Sequence, residues 1–375
     1  MWLRRWVAAV IAVVLVAACS NKTAVSPLRP ESVTFISPQV GLVIGLAPCG
    51  DVQCLRLAKT VDAGESWTWM TSANLSSLAQ AVPLTSATDQ WRLRFADMEN
   101  GWISGPLLLA THNGGRTWTR IELPGLGSQN GFVGALEAAD GRVFAEVAEG
   151  TDQNTYGPVV LFSSAVSSDS WAAVESVTTG PAGYPGEISI AQGSIWAMLH
   201  PGVVTAQEGI EVHSLLYHSS DGVSWHSSPL PCPPTTVASV AAATSSRVFI
   251  VCSGGVAAGS QDKTAYLSTD GGANYQRVGD PPFSGDFDEV AASPLAFAVA
   301  AASGATYIYT SFNDGRDWAT SYLPQAGGLP LSDLGFTTTT QGVVIFGDPI
   351  YPQYLQLLMT RDGGRTWKTI DVSPS

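Results

Sequence analysis

Short runs of alternating apolar and polar residues recur along the chain, separated by turn-forming Gly, Asp and Asn. One stretch shows the pattern clearly: residues 91–96 (WRLRFA) alternate, and 101–104 (GWIS), 107–111 (LLLAT) and 118–123 (WTRIEL) follow after turn signals. Alternation with a period of two is typical of β-strands with one buried face. Each such group therefore predicts four short strands joined by tight turns.

A turn motif, S/T-x-D/N-x-G-x-x-aromatic, precedes the last strand of each group. Six copies lie at 60–67, 111–118, 219–225, 268–275, 311–318 and 360–367, with the third one residue short, and a decayed copy lies at 164–171. The closing aromatic residues follow one another at intervals of 43 to 54 residues. Four-stranded units repeated around an axis are the blades of a β-propeller. The sequence predicts an all-β fold over residues 31–375, a seven-bladed β-propeller of four-stranded antiparallel blades.

The residue types of the motif suit a β-hairpin turn. Asp or Asn accepts hydrogen bonds from turn N–H groups, and Gly supplies a positive φ. The Ser or Thr hydroxyl closes a local bond, and the aromatic ring packs over the turn. We expect these residues to hold turns rather than to carry chemistry: Asp62, Trp67, Asn113, Trp118, Asp221, Trp225, Asp270, Tyr275, Asn313, Trp318, Asp362 and Trp367.

The turn motif resembles the Asp-box, or BNR, repeat of sialidase-like propellers. In that family the box is structural and lies on the face opposite the active site. A Phe six residues before a Gly, at 35–41, 95–101 and 336–342, makes the second unit similar to the repeat of the photosystem II stability/assembly-factor-like family. That family comprises seven-bladed propellers and includes lipoproteins, so the resemblance implies a role in binding or assembly. It is sharp in blades 1, 2, 6 and 7, whereas blades 3 and 4 carry long insertions.

The N-terminal segment has the layout of an export signal. Arg4 and Arg5 precede an apolar run at 6–18, which is too short to span a bilayer. The sequence VAAC at 16–19 resembles the bacterial lipobox, in which the cysteine is acylated and becomes the first residue of the mature chain. Ordinary secretion, with that cysteine as a free thiol, is the alternative.

The lipobox resemblance divides the chain into three parts. We expect a signal peptide at 1–18, a polar tether at 19–30 that starts at lipidated Cys19, and the propeller at 31–375. The protein would then be extracytoplasmic and held by its acyl anchor to the bacterial cell membrane, or to the outer membrane of a two-membrane envelope.

The charge balance narrows the choice of partner. The chain has 18 basic and 31 acidic residues, a net charge of −13, and loss of residues 1–18 would make the net charge −15. Nucleic acid is excluded as a partner, because phosphate binding needs clustered Lys and Arg. A hydrophobic content of 45% with only 13% charged residues also excludes a disordered chain.

Four cysteines remain in the mature chain beyond the anchor. An even number in an exported protein predicts disulfides. Cys49 and Cys54 bracket a four-residue loop, and Cys232 and Cys252 flank a strand–turn–strand segment. We favour the pairs 49–54 and 232–252, with reduced, buried thiols as the alternative. The spacing of these cysteines does not fit a zinc site.

The loops opposite the boxes are the expected binding face, because function concentrates on loops that a rigid scaffold positions. Tyr-rich, mildly acidic loops suit contact with a protein or a sugar. Solvated loop decoration is the alternative for each residue. The candidates are Asp51, Asp152, Tyr156, Tyr184, Glu208, Asp262, Lys263, Asp348, Tyr351 and Tyr354.

Two arginines stand out in an otherwise apolar strand. Arg92 and Arg94 alternate with apolar residues in the first strand of the second unit. They could line the central channel and meet an anionic group, or pair with a nearby carboxylate such as Asp97 or Glu99.

Metal sites find little support in the sequence. Asp286, Asp288 and Glu289 offer oxygen ligands for calcium but lack EF-hand spacing. His213, His218 and His226 are scattered across one predicted hairpin. We therefore expect no metal and no cofactor.

Three classes of function fit these features. The first is a non-catalytic, monomeric scaffold that binds an envelope or membrane-protein partner, and this is the prediction. The alternatives are a carbohydrate-binding module and a glycoside hydrolase of the sialidase-like type, which needs a pair of carboxyls at a defined separation. Because residues 31–37 and 367–372 supply separate strands to blades 1 and 7, the ring would close by packing between these two blades, and closure by strand exchange is the alternative.

Overall fold

The computed structural model describes residues 28–80, 90–126, 131–149, 157–202, 213–234, 236–323, 327–347 and 354–375. These residues form seven sheets of four antiparallel strands and one short helix, α1 (Leu75–Gln80). The predicted seven-bladed β-propeller is confirmed. In the described part of the chain, no helix is long and apolar enough to cross a membrane. The predicted signal peptide and Cys19 lie outside the described residues.

The strands succeed one another four to a blade, and each sheet consists of four consecutive strands. In chain order they are β1 (Arg29–Phe35), β2 (Gly41–Cys49), β3 (Val52–Thr60), β4 (Thr68–Trp69), β5 (Arg92–Phe95), β6 (Gly101–Ser104), β7 (Leu109–Thr111), β8 (Thr119–Arg120), β9 (Phe132–Ala139), β10 (Arg142–Ala148), β11 (Val159–Ala165), β12 (Ala172–Thr178), β13 (Gly183–Ala191), β14 (Ser194–Pro201), β15 (Leu215–Ser219), β16 (His226–Ser228), β17 (Val237–Ala242), β18 (Val248–Val256), β19 (Gln261–Ser268), β20 (Gln276–Arg277), β21 (Asp286–Ser293), β22 (Ala296–Ala302), β23 (Thr306–Ser311), β24 (Ala319–Tyr322), β25 (Leu331–Phe336), β26 (Gly342–Phe346), β27 (Gln356–Thr360) and β28 (Lys368–Ile370).

The first strand of every blade lies nearest the axis. These strands, β1, β5, β9, β13, β17, β21 and β25, contact one another in sequence, and β25 contacts β1. They therefore enclose a central channel. Five of them carry a β-bulge where they pair with the second strand of their blade. A bulge re-aims the side chains beside it, and four of the bulges contain an acidic residue: Glu31, Glu187, Asp288 and Asp333.

The turn motifs and the turns between first and second strands share one face, which we call the box face. Backbone bonds join the two kinds of turn within a blade, as between the N–H of Gly114 and the carbonyl of Glu99 at 2.9 Å, and between Ala63 and Gln39 at 2.9 Å. Because the strands are antiparallel, the turns between second and third strands and the connections between blades lie on the opposite face. We call this the loop face.

The hydrophobic core is divided among the seven blade interfaces. Each apolar cluster combines residues of two neighbouring blades. Between blades 1 and 2, for example, Leu57 and Trp118 pack with Leu93 and Ile103, all at most 2% exposed. No blade buries its apolar faces alone, so the ring stabilises every blade in it.

The Phe and Gly residues six positions apart have a packing role. Phe35 pairs with Gly41 across the first hairpin, and Phe95 pairs with Gly101 across the next. A Cβ atom at Gly41 would lie 2.7 Å from the ring of Phe35, and one at Gly101 would lie 2.6 Å from the ring of Phe95. The ring lies flat over the backbone of its partner, so only glycine fits there.

The ring closes between blades 1 and 7 without exchange of a strand among the described residues. An apolar cluster there includes Val33, Trp67, Ile345 and Val372. Ser375 donates its N–H to Trp67 and accepts the N–H of Trp69, at 3.1 and 3.4 Å. The ring is therefore closed by packing and backbone hydrogen bonds between blades 1 and 7.

The propeller starts earlier than the sequence indicates. β1 begins at Arg29 rather than at residue 31, and Leu28 is fully buried. Arg29 and Pro30, the last residues of the predicted tether at 19–30, therefore belong to blade 1. Arg29 and Pro30 pair with Leu46 and Gly45, which extends the strand to the loop face.

Candidate functional site

The six turn motifs share one hydrogen-bond pattern. In the first, Asp62 Oδ1 accepts the hydroxyl of Thr60 at 2.7 Å and the N–H of Ser66 at 2.9 Å. Thr60 Oγ1 in turn accepts the N–H of Gly64 at 2.9 Å. The same bonds surround Asn113, Asp221, Asp270, Asn313 and Asp362.

The acidic side chains of the boxes accept hydrogen bonds from groups of their own turns. Hydrogen bonds from Ser66 lower the pKa of Asp62 to about 2, and those from Asn274 lower the pKa of Asp270 to about 2. These carboxylates are ionised at neutral pH and face donors of their own loops. Trp67 and Trp118 are each 2% exposed, so the closing aromatic rings belong to the core. This arrangement favours the structural interpretation of the boxes.

The cysteines are paired as the sequence favours. Cys49 is bonded to Cys54 and Cys232 to Cys252, with Cα atoms 5.8 and 5.5 Å apart. The first pair closes the tip of the β2–β3 hairpin on the loop face. The second ties the connection before β17 to β18. Both pairs therefore brace segments of the loop face.

Three of the candidate binding residues that the structure describes are exposed on the loop face. Asp51 lies at the tip of the β2–β3 hairpin, Asp262 lies near the start of β19, and Tyr354 lies before β27. They belong to blades 1, 5 and 7. The remaining candidates Asp152, Tyr156, Glu208, Asp348 and Tyr351 lie outside the described residues.

Lys263 is not an exposed binding residue, and that expectation was wrong. Its side chain is only 3% exposed. Its Nζ donates to the carbonyls of Gln261, Phe283 and Gly285 at 2.9, 3.1 and 2.7 Å. Burial lowers the pKa of Lys263 to about 8. The ammonium group thus fixes the connection between blades 5 and 6, because alternation in β19 turns this side chain inward.

Tyr184 is half-buried and stacks on His200, with ring centroids 4.7 Å apart. Burial raises the pKa of Tyr184 to about 12 and lowers the pKa of His200 to about 4. His200 Nδ1 lies 3.0 Å from the hydroxyl of Ser214. At neutral pH both rings are therefore uncharged, and neither side chain is suited to taking up a proton.

The two arginines of β5 do line the channel, but their partners differ from those expected. Arg94 Nε donates to Glu137 Oε1 at 2.6 Å, and its Nη1 lies 2.9 Å from Asp333 Oδ1. Arg92 Nη1 lies 3.7 Å from Glu289 Oε1. The suggestion of Asp97 or Glu99 was wrong, because both lie in the turn at the box face. There Asp97 accepts turn N–H groups and Glu99 faces Arg116.

Acceptor side chains join neighbouring blades at several junctions of the ring. Each carboxylate or amide oxygen accepts a backbone N–H of the following blade. The pairs are Glu31 with Trp91, Glu146 with Gly186, Gln261 with Phe287, Asp288 with Leu331, Glu289 with Leu334, and Asp333 with Val33, at 2.7 to 3.3 Å. Burial raises the pKa of Glu31 to about 8, of Glu187 to about 7 and of Asp288 to about 8.

These acidic residues are the part of the centre that the sequence analysis missed. Glu31, Glu137, Glu146, Glu187 and Asp333 were not singled out. The signal was present, because an acidic residue interrupts the first strand in blades 1, 3, 4, 6 and 7; Glu146 lies instead in the second strand of blade 3. The possible calcium ligands Asp288 and Glu289 belong to the same set, and both accept backbone N–H groups of blade 7.

Within the described residues, no group of three or more His, Cys, Asp or Glu side chains is placed to hold a metal ion. His218 stacks on Trp196 at 4.9 Å and lies opposite His226 in the hairpin of blade 4. Asp288 and Glu289 of β21 accept backbone N–H groups of blade 7 instead. Neither of the two weighed metal sites is therefore assembled in this part of the chain.

No protein-family model and no curated protein matches the chain. Several solved structures share the fold. YCF48 from Cyanidioschyzon merolae has a TM-score of 0.57 and 15% identity, covering 90% of this chain and 98% of its own. A PL25 ulvan lyase bound to -[GlcA(1-4)Rha3S]- has a TM-score of 0.57 and 11% identity, covering 93% and 97%. YCF48 bound to a D1 peptide has a TM-score of 0.49 and 17% identity, covering 78% and 84%.

The chain is similar in fold to these propellers. The propeller fold that the repeat resemblance implied is shared with these solved structures. At 11 and 15% identity, the likeness to the ulvan lyase and to YCF48 from Cyanidioschyzon merolae shows the architecture alone. The relatives include a polysaccharide lyase as well as YCF48, so the shared fold does not assign an activity.

Proposed function

We propose that the protein is a lipid-anchored, extracytoplasmic propeller that binds an envelope or membrane-protein partner through its loop face, without catalysing a reaction. The observation that carries this proposal is the separation of the exposed loop-face residues. Asp51, Asp262 and Tyr354 stand on blades 1, 5 and 7. A wide rigid face whose exposed side chains stand on separate blades suits a macromolecular partner.

The bracing of the loop face supports the same function. Two disulfides and the buried Lys263 ammonium fix loops that would otherwise pay more conformational entropy on binding. The buried start of β1 places the chain entry on the loop face as well. An acyl group on Cys19 would therefore hold this face toward the membrane.

Glycan binding is the second candidate, and one observation favours it. The half-buried ring of Tyr184, backed by the buried ring of His200, offers a partly exposed aromatic surface beside the loop face. Such surfaces contact sugar rings. The neutral state of both side chains at pH 7 supports binding rather than hydrolysis.

Affinity capture tests the proposed function. The tagged mature protein is crosslinked in native membranes, solubilised in detergent and recovered, and its partners are identified by mass spectrometry. We expect one membrane or envelope protein in stoichiometric amount, together with a diacyl or triacyl N-terminal peptide that begins at Cys19. Recovery of no partner, combined with turnover or binding of a polysaccharide in a glycan panel, would replace the scaffold with the second candidate.

A further inference from the structure

The first strands of the blades surround a cavity of about 700 Å³ at the axis. Its lining comes from β5, β9, β13, β17, β21 and β25. The rim includes Asp140 and Gln192, which are exposed in turns of the box face. The cavity is therefore reached from the box face, on the side away from the proposed partner surface.

Most charged groups in the cavity are committed to contacts between blades. Arg94 is held by Glu137 and Asp333 at 2.6 and 2.9 Å. Asp288 and Glu289 each accept a backbone N–H of blade 7. Arg94 is hydrogen-bonded to Glu137 and ion-paired with Asp333, and Asp288 and Glu289 are hydrogen-bonded to blade 7, so these side chains act as structural links.

Arg92 and Glu187 differ from the other charged groups. The side chain of Arg92 is 34% exposed, and its ion pair with Glu289 spans 3.7 Å, beyond hydrogen-bonding distance. Glu187 Oε2 is buried and, among the described residues, has no hydrogen-bond partner. A guanidinium offers five N–H donors in a planar fork, and a carboxylate offers two acceptor oxygens. Both side chains line the same cavity, and each can form further hydrogen bonds to a ligand there.

The charge of Arg92 also acts on the carboxyl group of Glu187. Burial raises the pKa of Glu187 and a hydrogen bond from the side chain of Ser239 lowers it; the charge of Glu289 raises it further, and the positive charge of Arg92 lowers it. Arg92 and Glu187 line the same cavity, so one ligand can contact both of these opposite charges.

We propose that this cavity binds a small zwitterion, a free amino acid or a short peptide, with its carboxylate on Arg92 and its ammonium on Glu187. Guanidinium and carboxylate form paired, charge-assisted hydrogen bonds, as do ammonium and carboxylate. Six acidic residues and two arginines line the cavity, which disfavours a simple anion. The described carboxylates are not grouped to hold a metal. A zwitterion satisfies both charged groups and adds no net charge.

Calorimetry on the full mature protein tests the site. The probes are glycine, diglycine and triglycine, which separate the two charges by increasing distances, with acetate and methylammonium as half-ligands. We expect one of the three zwitterions to bind more tightly than either half-ligand. Arg92→Gln and Glu187→Gln should each weaken that binding about tenfold or more. Arg116→Gln, which alters an arginine on the box face outside the cavity, should leave the affinity unchanged.

A second readout does not depend on the stability of the Arg92 variant. An ammonium beside Glu187 favours its ionised form, so binding near pH 7 should release protons. The measured enthalpy should then vary with the ionisation enthalpy of the buffer, and this variation should disappear in Glu187→Gln. Binding of none of the three zwitterions, equal binding of acetate, or an unchanged affinity in Glu187→Gln would overturn the assignment.

Discussion

The carboxylate of Asp333 in blade 7 accepts the backbone N–H of Val33 in blade 1 at 2.7 Å, across 300 positions of sequence. The same oxygen accepts the hydroxyl of Ser32, and the other oxygen lies 2.9 Å from Nη1 of Arg94 in blade 2. One side chain therefore links three blades at the axis. This contact closes the ring on the inside, where the apolar cluster between blades 1 and 7 closes it further out.

Replacing Asp333 should open the ring at this junction. Asp333→Ala removes the acceptor of a buried N–H and one partner of Arg94, so we expect a loss of about 3 kcal/mol or more in the free energy of unfolding. Urea denaturation monitored by tryptophan fluorescence measures the change. Asp51→Ala, at an exposed hairpin tip, should stay within about 0.5 kcal/mol of the parent. Equal stabilities of the two variants would contradict the role given to Asp333.

The C-terminal residues should matter for the same closure. Deletion of residues 368–375 removes β28, the buried Val372 and the bonds of Ser375 to Trp67 and Trp69. We expect a lower melting temperature in differential scanning calorimetry, because blade 7 loses its outer strand and blade 1 loses a neighbour. Deletion of 374–375 alone should cost less, since it keeps β28 and Val372. An unchanged melting temperature in the longer deletion would refute closure by packing.

The boxes should tolerate an amide but not the loss of the acceptor. Asn113 and Asn313 already occupy the position that Asp362 holds in blade 7, with the same turn bonds. Asp362→Asn should therefore be nearly neutral, whereas Asp362→Ala should cost about 1 to 3 kcal/mol because turn N–H groups lose their acceptor. Chemical denaturation compares the two variants. A large loss in the asparagine variant would mean that the negative charge does more than hold the turn.

Stability should be highest in mildly acidic solution. Burial raises the folded-state pKa of Glu31 to about 8 and of Glu187 to about 7, so the stability tied to their protonated forms is lost as pH rises from about 4.5 to 8. The lowered pKa values of Asp62 and Asp270, about 2, act the opposite way, and their contribution is lost as pH falls below about 4.

Melting temperatures between pH 3 and pH 9 test this profile. We expect the melting temperature to be highest near pH 5 and to decline toward pH 8. This decline should be smaller in Glu31→Gln. Glu65→Gln, at an exposed position of a box, should leave the profile unchanged. A stability that rises steadily from pH 5 to pH 8 would contradict the buried, uncharged state assigned to Glu31.

The architecture could be predicted from the sequence because each repeat is defined by residues that lie close together in the chain. A hairpin turn needs Asp or Asn, Gly and an aromatic residue at fixed spacing, so boxes such as 60–67 and 360–367 are visible without knowledge of the fold. The cysteine pairs were also accessible, since each lies within one hairpin or its flank. Contacts close in sequence leave a readable pattern.

The centre of the ring was harder to predict because its partners are far apart in sequence. Arg94 finds Glu137 in the next blade and Asp333 at the other end of the chain, so proximity in sequence pointed wrongly to Asp97 and Glu99. Lys263 looked like a loop residue, but its place in the alternation of β19 turns it inward. A bulge shifts which side chain faces the axis, and such shifts are invisible in a count of alternating residues.

Site-specific photocrosslinking in native host cells is the most direct test of the loop face as the binding surface. A photoreactive amino acid replaces Tyr354 on the loop face or Val223 on the box face, two residues that are 52% and 67% exposed. We expect the probe at position 354 to crosslink to one envelope or membrane protein and the probe at position 223 not to crosslink to it. Crosslinking of that protein from position 223 alone, or of none from position 354 and further loop-face positions, would contradict this prediction.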